Sequence, residues 1–197
     1  MSITPLNRSS LSGFFSRPRG EKDSTDFAIT RFLVPFLCDY QGFAVYMDGD
    51  MVCLGNPAEL AGYMTLMEKY NYAVRVVKHD YTPTEETKFL GNIQSRYDKK
   101  NWSSVMVFNN ALCTRLSPEY VEKAPGLELH QFRWCGEHQV AALPKEWNWL
   151  IDVPGYENFN RAKLIHYTKG SPCFPEYANC TASELWHKEY ESMVSCG

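Results

Sequence analysis

Phe43-Ala44-Val45-Tyr46-Met47-Asp48-Gly49-Asp50-Met51-Val52 is the stretch on which the reading of the fold depends. Phe43 to Met47 is a short apolar run containing aromatic and β-branched residues, the pattern of a buried strand. Two aspartates follow it directly. In an extended chain, residues two apart point to the same side, so Asp48 and Asp50 can converge on one point. Hard oxygen ligands at the carboxyl end of a strand suit Mg²⁺ or Mn²⁺ carrying phosphates. The same residues admit a plainer reading, because Asp-Gly between the apolar runs Phe43–Met47 and Met51–Leu54 is a type I′ hairpin signal. A calcium loop of the EF-hand kind is excluded, since Val52 stands where such a loop needs its third oxygen ligand.

Outward from this stretch, strand and helix patterns alternate. Upstream, Ser24-Thr25-Asp26 can cap a helix through Phe27–Leu33, which must kink or restart near Pro35. Downstream, Pro57–Met67 is helical in pattern, with Pro57 acceptable in a first turn. Tyr72–Val77 and Val105–Phe108 read as strands, Ser117–Ala124 and Gly126–Cys135 as short helices, and Lys163–His166 as a further strand in a loop-rich region after Trp147. Such alternation predicts a single α/β domain over residues 1–197, with a mostly parallel sheet flanked by helices. Residues 1–22 read as a strand remnant and loop, and 187–197 as a C-terminal tail.

The composition narrows the function classes. A net charge of -3 and a sequence pI near 6.0 argue against binding nucleic acid through phosphate neutralisation. No stretch approaches the ~20 apolar residues of a membrane helix, and the N-terminus has no apolar run of signal-peptide type. The seven cysteines are odd in number and include no Cys-x-x-Cys pair, which fits reduced thiols and a cytoplasmic location better than a disulfide frame or zinc site. Asn7, Asn101 and Asn179 begin Asn-x-Ser/Thr triplets that carry little weight there. Aromatic residues make up 14% of the chain, enough to fill a core and also to offer faces to sugar rings.

Two resemblances attach to the aspartate pair. Asp48-Gly49-Asp50-Met51-Val52 resembles the first motif of haloacid-dehalogenase-type phosphohydrolases, but the later acidic pair of that superfamily, Gly-Asp-x-x-x-Asp, is absent. Thr30–Pro35, Val45–Asp50 and His166-Tyr167-Thr168 follow instead the order seen in glycosyltransferase family 8 and its bacterial and phage relatives. Four segments in order, Phe32–Met51, Asn101–Ser104, Leu143–Leu150 and His166–Thr168, resemble a group of short bacterial glycosyltransferase-like proteins. The resemblance implies a GT-A fold and metal-dependent transfer of a sugar, of hexosyltransferase type, from a nucleotide-diphosphate sugar to a sugar or glycan acceptor.

By this resemblance Asp48 and Asp50 hold Mn²⁺ or Mg²⁺ on the diphosphate, His166 supplies a third ligand, and Gly49 lies between them. Arg31 reaches the donor sugar or the aspartate pair, and Lys169 and Gly170 meet the diphosphate. Ser103 and Ser104 stand where family 8 carries Asn-Ser-Gly near the donor sugar, and Glu137 keeps the one charge of its Asp-Gln-Asp-like stretch. Trp147, Asn148 and Trp149 are candidates to stack a sugar ring and bond its hydroxyls, with Lys78, His79 and Lys88 as further acceptor-side candidates; no catalytic base is assigned. The related proteins carry a further strand before Ile3-Thr4-Pro5-Leu6, so the first GT-A strand is expected to be missing and nucleotide-sugar binding to be weak. A binding protein without catalysis is the alternative from a different class.

Overall fold

Val105-Met106-Val107-Phe108 is apolar at every position, as befits a strand covered on both faces. The computed structural model describes residues 2–18, 20, 28–80, 87–88, 92–93 and 98–195, with backbone alone at 87, 88, 92 and 93. In chain order the strands are β1 (Phe43–Met47), β2 (Met51–Cys53), β3 (Val74–Val77), β4 (Thr87–Lys88), β5 (Asn92–Ile93), β6 (Val105–Asn109), β7 (Val140–Leu143), β8 (Trp149–Leu150) and β9 (Leu164–His166). The α-helices are α1 (Val34–Leu37), α2 (Ala61–Tyr70), α3 (Pro118–Lys123), α4 (Gly126–His130) and α5 (Ser183–Ser195). One sheet has the order β1-β6-β3-β7, a second has the order β2-β9-β8, and β4 pairs with β5.

The two-residue period of the strands sorts the core into layers. Met106 and Phe108 face Val74, Val76, Val140, Phe32, Leu33, Phe132 and Trp134 on one side of the larger sheet. Val105 and Val107 face Leu60, Met67, Val77, Leu143, Trp147 and Leu164 on the other. A third cluster of Val52, Ile151, Ile165, Tyr167 and Ala182, with Leu185 and Trp186 of α5 against it, closes the smaller sheet.

The α/β class follows from the sequence, but strand direction does not. β1 and β3 both run antiparallel to β6, and only β3 and β7 are parallel within the larger sheet. The sheet is therefore mixed rather than mostly parallel. Burial on both faces produces the same apolar run whichever way a strand points, so periodicity is silent on direction. The hairpin reading is also overturned: β1 pairs with β6 and β2 with β9, so Asp48–Asp50 links two sheets.

Among residues 2–18 there is no strand, contrary to the expected strand remnant. Instead Asn7 caps a 3₁₀ turn at Arg8–Leu11, its side chain accepting from the Ser9 amide, and Leu11 and Phe15 drop into the core. Arg17 then ties this segment to α3 by donating to the carbonyls of Val121 (2.9 Å) and Ala124 (2.6 Å). The expected cap at Ser24–Asp26 lies outside the described residues. Beyond it the chain makes a 3₁₀ turn over Thr30–Leu33 and restarts as α1, with Pro35 in the first turn where no amide is needed. Most of the expected tail at 187–197 belongs to α5, whose stacked Trp186 and Tyr190 rings (5.2 Å between centroids) stand one helical turn apart. No helix among the described residues is long and apolar enough to cross a membrane.

Candidate functional site

The aspartates owe their position to the chain leaving one sheet and entering the other. The Asp48 amide donates to the Ser104 carbonyl at 3.0 Å, which continues the β1–β6 ladder by one step. Two residues later Met51 pairs with His166 in the antiparallel β2–β9 register, and the Tyr167 amide donates to the Asp50 carbonyl at 3.0 Å. This register brings His166 beside Asp50 across more than a hundred residues of sequence. One ligand atom from each of Asp48, Asp50 and His166 lies within 4.8 Å of the others. The donor set, two carboxylates and an imidazole, suits Mn²⁺ or Mg²⁺, with the imidazole favouring Mn²⁺. A Cβ at Gly49 would meet nothing within 4 Å, so open space adjoins the carboxylates.

Arg31 goes to the aspartate pair. Its Nη2 lies 3.0 Å from Asp48 Oδ1 and its Nη1 donates to Oδ2 at 3.2 Å, a bidentate pair whose side chains are 7% and 13% exposed. Arg31 Nε also donates to the Ala28 carbonyl, and Nη1 to the Ser103 carbonyl. Tyr46 completes the arrangement by donating its hydroxyl to Asp48 Oδ1 at 2.7 Å, while its ring lies under the guanidinium at 5.1 Å. Burial above all, aided by Asp48 and Asp50 and opposed by Arg31, pushes the Tyr46 hydroxyl well above its usual range, so it remains a donor. Tyr46 was not singled out from the sequence. Its spacing of two from Asp48 on one strand face is the signal that would have found it.

Asp50 stands more open. Its side chain is 40% exposed, and Oδ1 lies 3.3 Å from Nε2 of the buried His166. On the far side of that ring, Nδ1 lies 2.9 Å from Asn148 Oδ1.

Several expected donor and sugar residues are elsewhere. Trp147 is 1% exposed and Asn148 fully buried, so neither can stack on or bond a sugar; the indole belongs to the core between α2 and the sheet. Trp149 is half-buried, with its N–H on the Tyr156 carbonyl and its ring edge-on to Tyr156. Ser103 and Ser104 turn inward, and the Ser103 hydroxyl pairs with His130 Nδ1 at 2.7 Å; they serve the site through their backbone carbonyls. Glu137 precedes β7 and lies at the end of the sheet opposite to Asp48, because β7 runs parallel to β3 and β3, like β1, opposes β6. No strand was read at Val140–Leu143 from the sequence, so the end of the sheet at which Glu137 lies was not legible there. Lys169 is half-buried in the turn after β9, and a Cβ at Gly170 would run into the Tyr177 ring, which accounts for that glycine. The Lys88 side chain lies outside the described residues.

Lys78 and His79 follow β3 at the same end of the sheet as Asp48. A cleft of about 280 Å³ opens there, floored by Val77, Leu143 and Tyr156 and rimmed by Lys78, Asp80 and Lys145. His79 is buried beside it, with Nδ1 against the Tyr156 hydroxyl. Burial above all, then His166 and Lys145, pushes its pKa from 6.5 down to about 3. Between these values the unfolded chain binds a proton that the folded one refuses. Stability contributed at neutral pH is therefore lost as pH falls from 6.5 towards 3. At about 1.4 kcal/mol per pH unit at most, the unsubstituted chain is expected to lose up to roughly 2 kcal/mol more than His79→Asn between pH 7 and 5. Urea unfolding at both pH values measures this, and equal losses would remove His79 as the cause.

A mixed sheet carrying its acidic residues at the strand ends is the GT-A fold, and a similar solved structure shares it. The WbbM bifunctional glycosyltransferase, in its apo structure, aligns with a TM-score of 0.51 at 17% identity over 83% of this chain and 37% of its own. The chain thus spans little more than a third of that protein. Mouse xyloside xylosyltransferase 1 in its apo form aligns with a TM-score of 0.45 at 13% identity over 80% of this chain and 68% of that one. No protein-family model matches the sequence. Protein CDI of Arabidopsis thaliana is 38% identical over 196 residues, which take in 96% of this chain and 74% of that protein. The chain belongs to the same family as Protein CDI.

Proposed function

We propose that the chain is a metal-dependent glycosyltransferase that moves a sugar from a nucleotide-diphosphate donor to a hydroxyl-bearing acceptor, acting in the cytoplasm. The observation that carries this reading is the convergence of Asp48, Asp50 and His166 within 4.8 Å at the strand ends of a GT-A fold. Asp50 and His166 are the more available ligands for Mn²⁺ or Mg²⁺, and Asp48 keeps its place through Arg31 and Tyr46. A divalent ion held there would neutralise the diphosphate as it leaves. Lys169 stands in the turn that follows His166 and would add a cation on the same side. The Lys78–Lys145–Tyr156 cleft is the acceptor side in this reading. Phosphohydrolysis through Asp48 is disfavoured, because both oxygens of the required nucleophile are engaged.

The same engagement of Asp48 favours a second reading, a relative that binds a diphosphate ligand without catalysis. Mn²⁺ calorimetry on the unsubstituted chain and Asp50→Ala separates the site from its absence. Asp50→Ala is expected to bind at least tenfold more weakly, ~1.4 kcal/mol, with Mn²⁺ preferred over Ca²⁺ in the unsubstituted chain. Equal affinities would end the metal reading. Donor turnover with UDP- and GDP-sugars then distinguishes enzyme from binder.

A further inference from the structure

Asn148 is fully buried between two tryptophans, an expensive place for an amide unless every polar atom is paired. Its Nδ2 donates to the Asn101 carbonyl at 3.2 Å. A carbonyl only accepts, so the amide cannot be reversed, and Oδ1 must be the atom facing His166 Nδ1 at 2.9 Å. Oδ1 in turn only accepts, so Nδ1 carries a hydrogen. In neutral His166 the lone pair therefore sits on Nε2, aimed at Asp50 Oδ1 at 3.3 Å. A divalent cation, or a second proton on the imidazole, bridges two such atoms at that distance.

We infer that Asn148 is the positioning residue of the metal centre, holding His166 in the tautomer that presents Nε2 as a ligand. This rests on the metal-dependent reading above. The turn that anchors Asn148 also anchors the rest of the site. Asn101, in a left-handed conformation at φ 60°, opens the 3₁₀ turn Trp102–Ser104. The Asn101 carbonyl takes Asn148, the Ser103 carbonyl takes Arg31, and the Ser104 carbonyl takes the Asp48 amide. One short turn thus aligns the carboxylate and imidazole sides of the cluster. Asparagine is suited to position 148 because it offers a donor and an acceptor at once. Leucine, branched in the same way at Cγ, offers neither.

Long-range ¹H–¹⁵N NMR of the metal-free chain reads the tautomer directly, with the His166 signals assigned through His166→Gln. The proton is expected on Nδ1. In Mn²⁺ calorimetry, Asn148→Leu is expected to bind about ten- to a hundred-fold more weakly than the unsubstituted chain. A neutral His166 protonated on Nε2 with Nδ1 bare overturns the inference, as does a folded Asn148→Leu with undiminished Mn²⁺ affinity. Should Asn148→Leu fail to fold, the tautomer in the unsubstituted chain decides alone. A proton on Nδ1 combined with no Mn²⁺ binding by the unsubstituted chain overturns the inference through the ion, and the metal-dependent reading with it.

Discussion

Arg31→Met is expected to destabilise the protein by about 3–5 kcal/mol, because it leaves the Asp48 carboxylate buried without its counter-charge. The pair is 7% and 13% exposed at its side chains, too enclosed for water to replace the guanidinium. The substitution also strips the Ala28 and Ser103 carbonyls of a donor each. For a chain of this size the loss corresponds to a fall in Tm of roughly 6–20 °C. Adding Asp48→Asn to Arg31→Met should recover part of the loss, since the stranded charge is gone and Tyr46 still has an oxygen to donate to. Thermal or urea unfolding of both single variants and the double variant measures the coupling. A loss below about 1 kcal/mol in Arg31→Met would mean that the pair behaves as an exposed one.

Trp147→Ala is expected to cost roughly 3–5 kcal/mol, through lost transfer energy and the cavity left among Leu60, Met67, Val107 and Leu164. The indole is 1% exposed, and the Lys163 ammonium lies 5.4 Å from its ring centroid. Trp149→Ala should cost less: that ring is only half-buried, edge-on to Tyr156 at the margin of the smaller sheet's core. Two adjacent tryptophans that look alike in sequence thus separate by position. Urea midpoints of the two variants give the comparison. A Trp147→Ala variant within about 1 kcal/mol of the unsubstituted chain would return this residue to the ligand-facing candidates.

Several strand and helix positions were legible in the sequence, although β7, β8 and α5 were not. The apolar runs at Phe43–Met47 and Val105–Phe108 and the proline-started turn at Pro57 each carry their cause locally, in side-chain character or backbone restriction. So was the possibility that Asp48 and Asp50 share a point, because a two-residue spacing on an extended chain depends on nothing distant. Arg31 was also named beforehand, although whether it met the sugar or the aspartates stayed open until Asp48 was found in its grip.

The tertiary structure alone decided the rest. Which way β6 runs depends on how the chain crosses the sheet, and β7, a strand not read from the sequence, places Glu137 at the far end from Asp48 because it runs in the same direction as β1. Whether Asp-Gly closes a hairpin or links two sheets depends on β6 and β9, whose edges compete for β1 and β2. Asn148 shows the difference most sharply. By itself, Trp147-Asn148-Trp149 reads equally well as a sugar platform or as core, since the same aromatic and amide groups serve both. Only the β2–β9 register, which sets His166 within reach of both Asp50 and Asn148, turns that asparagine from a surface candidate into a buried partner of the site. A hydrogen bond between residues 148 and 166 leaves no period in a sequence; it exists because two strands meet.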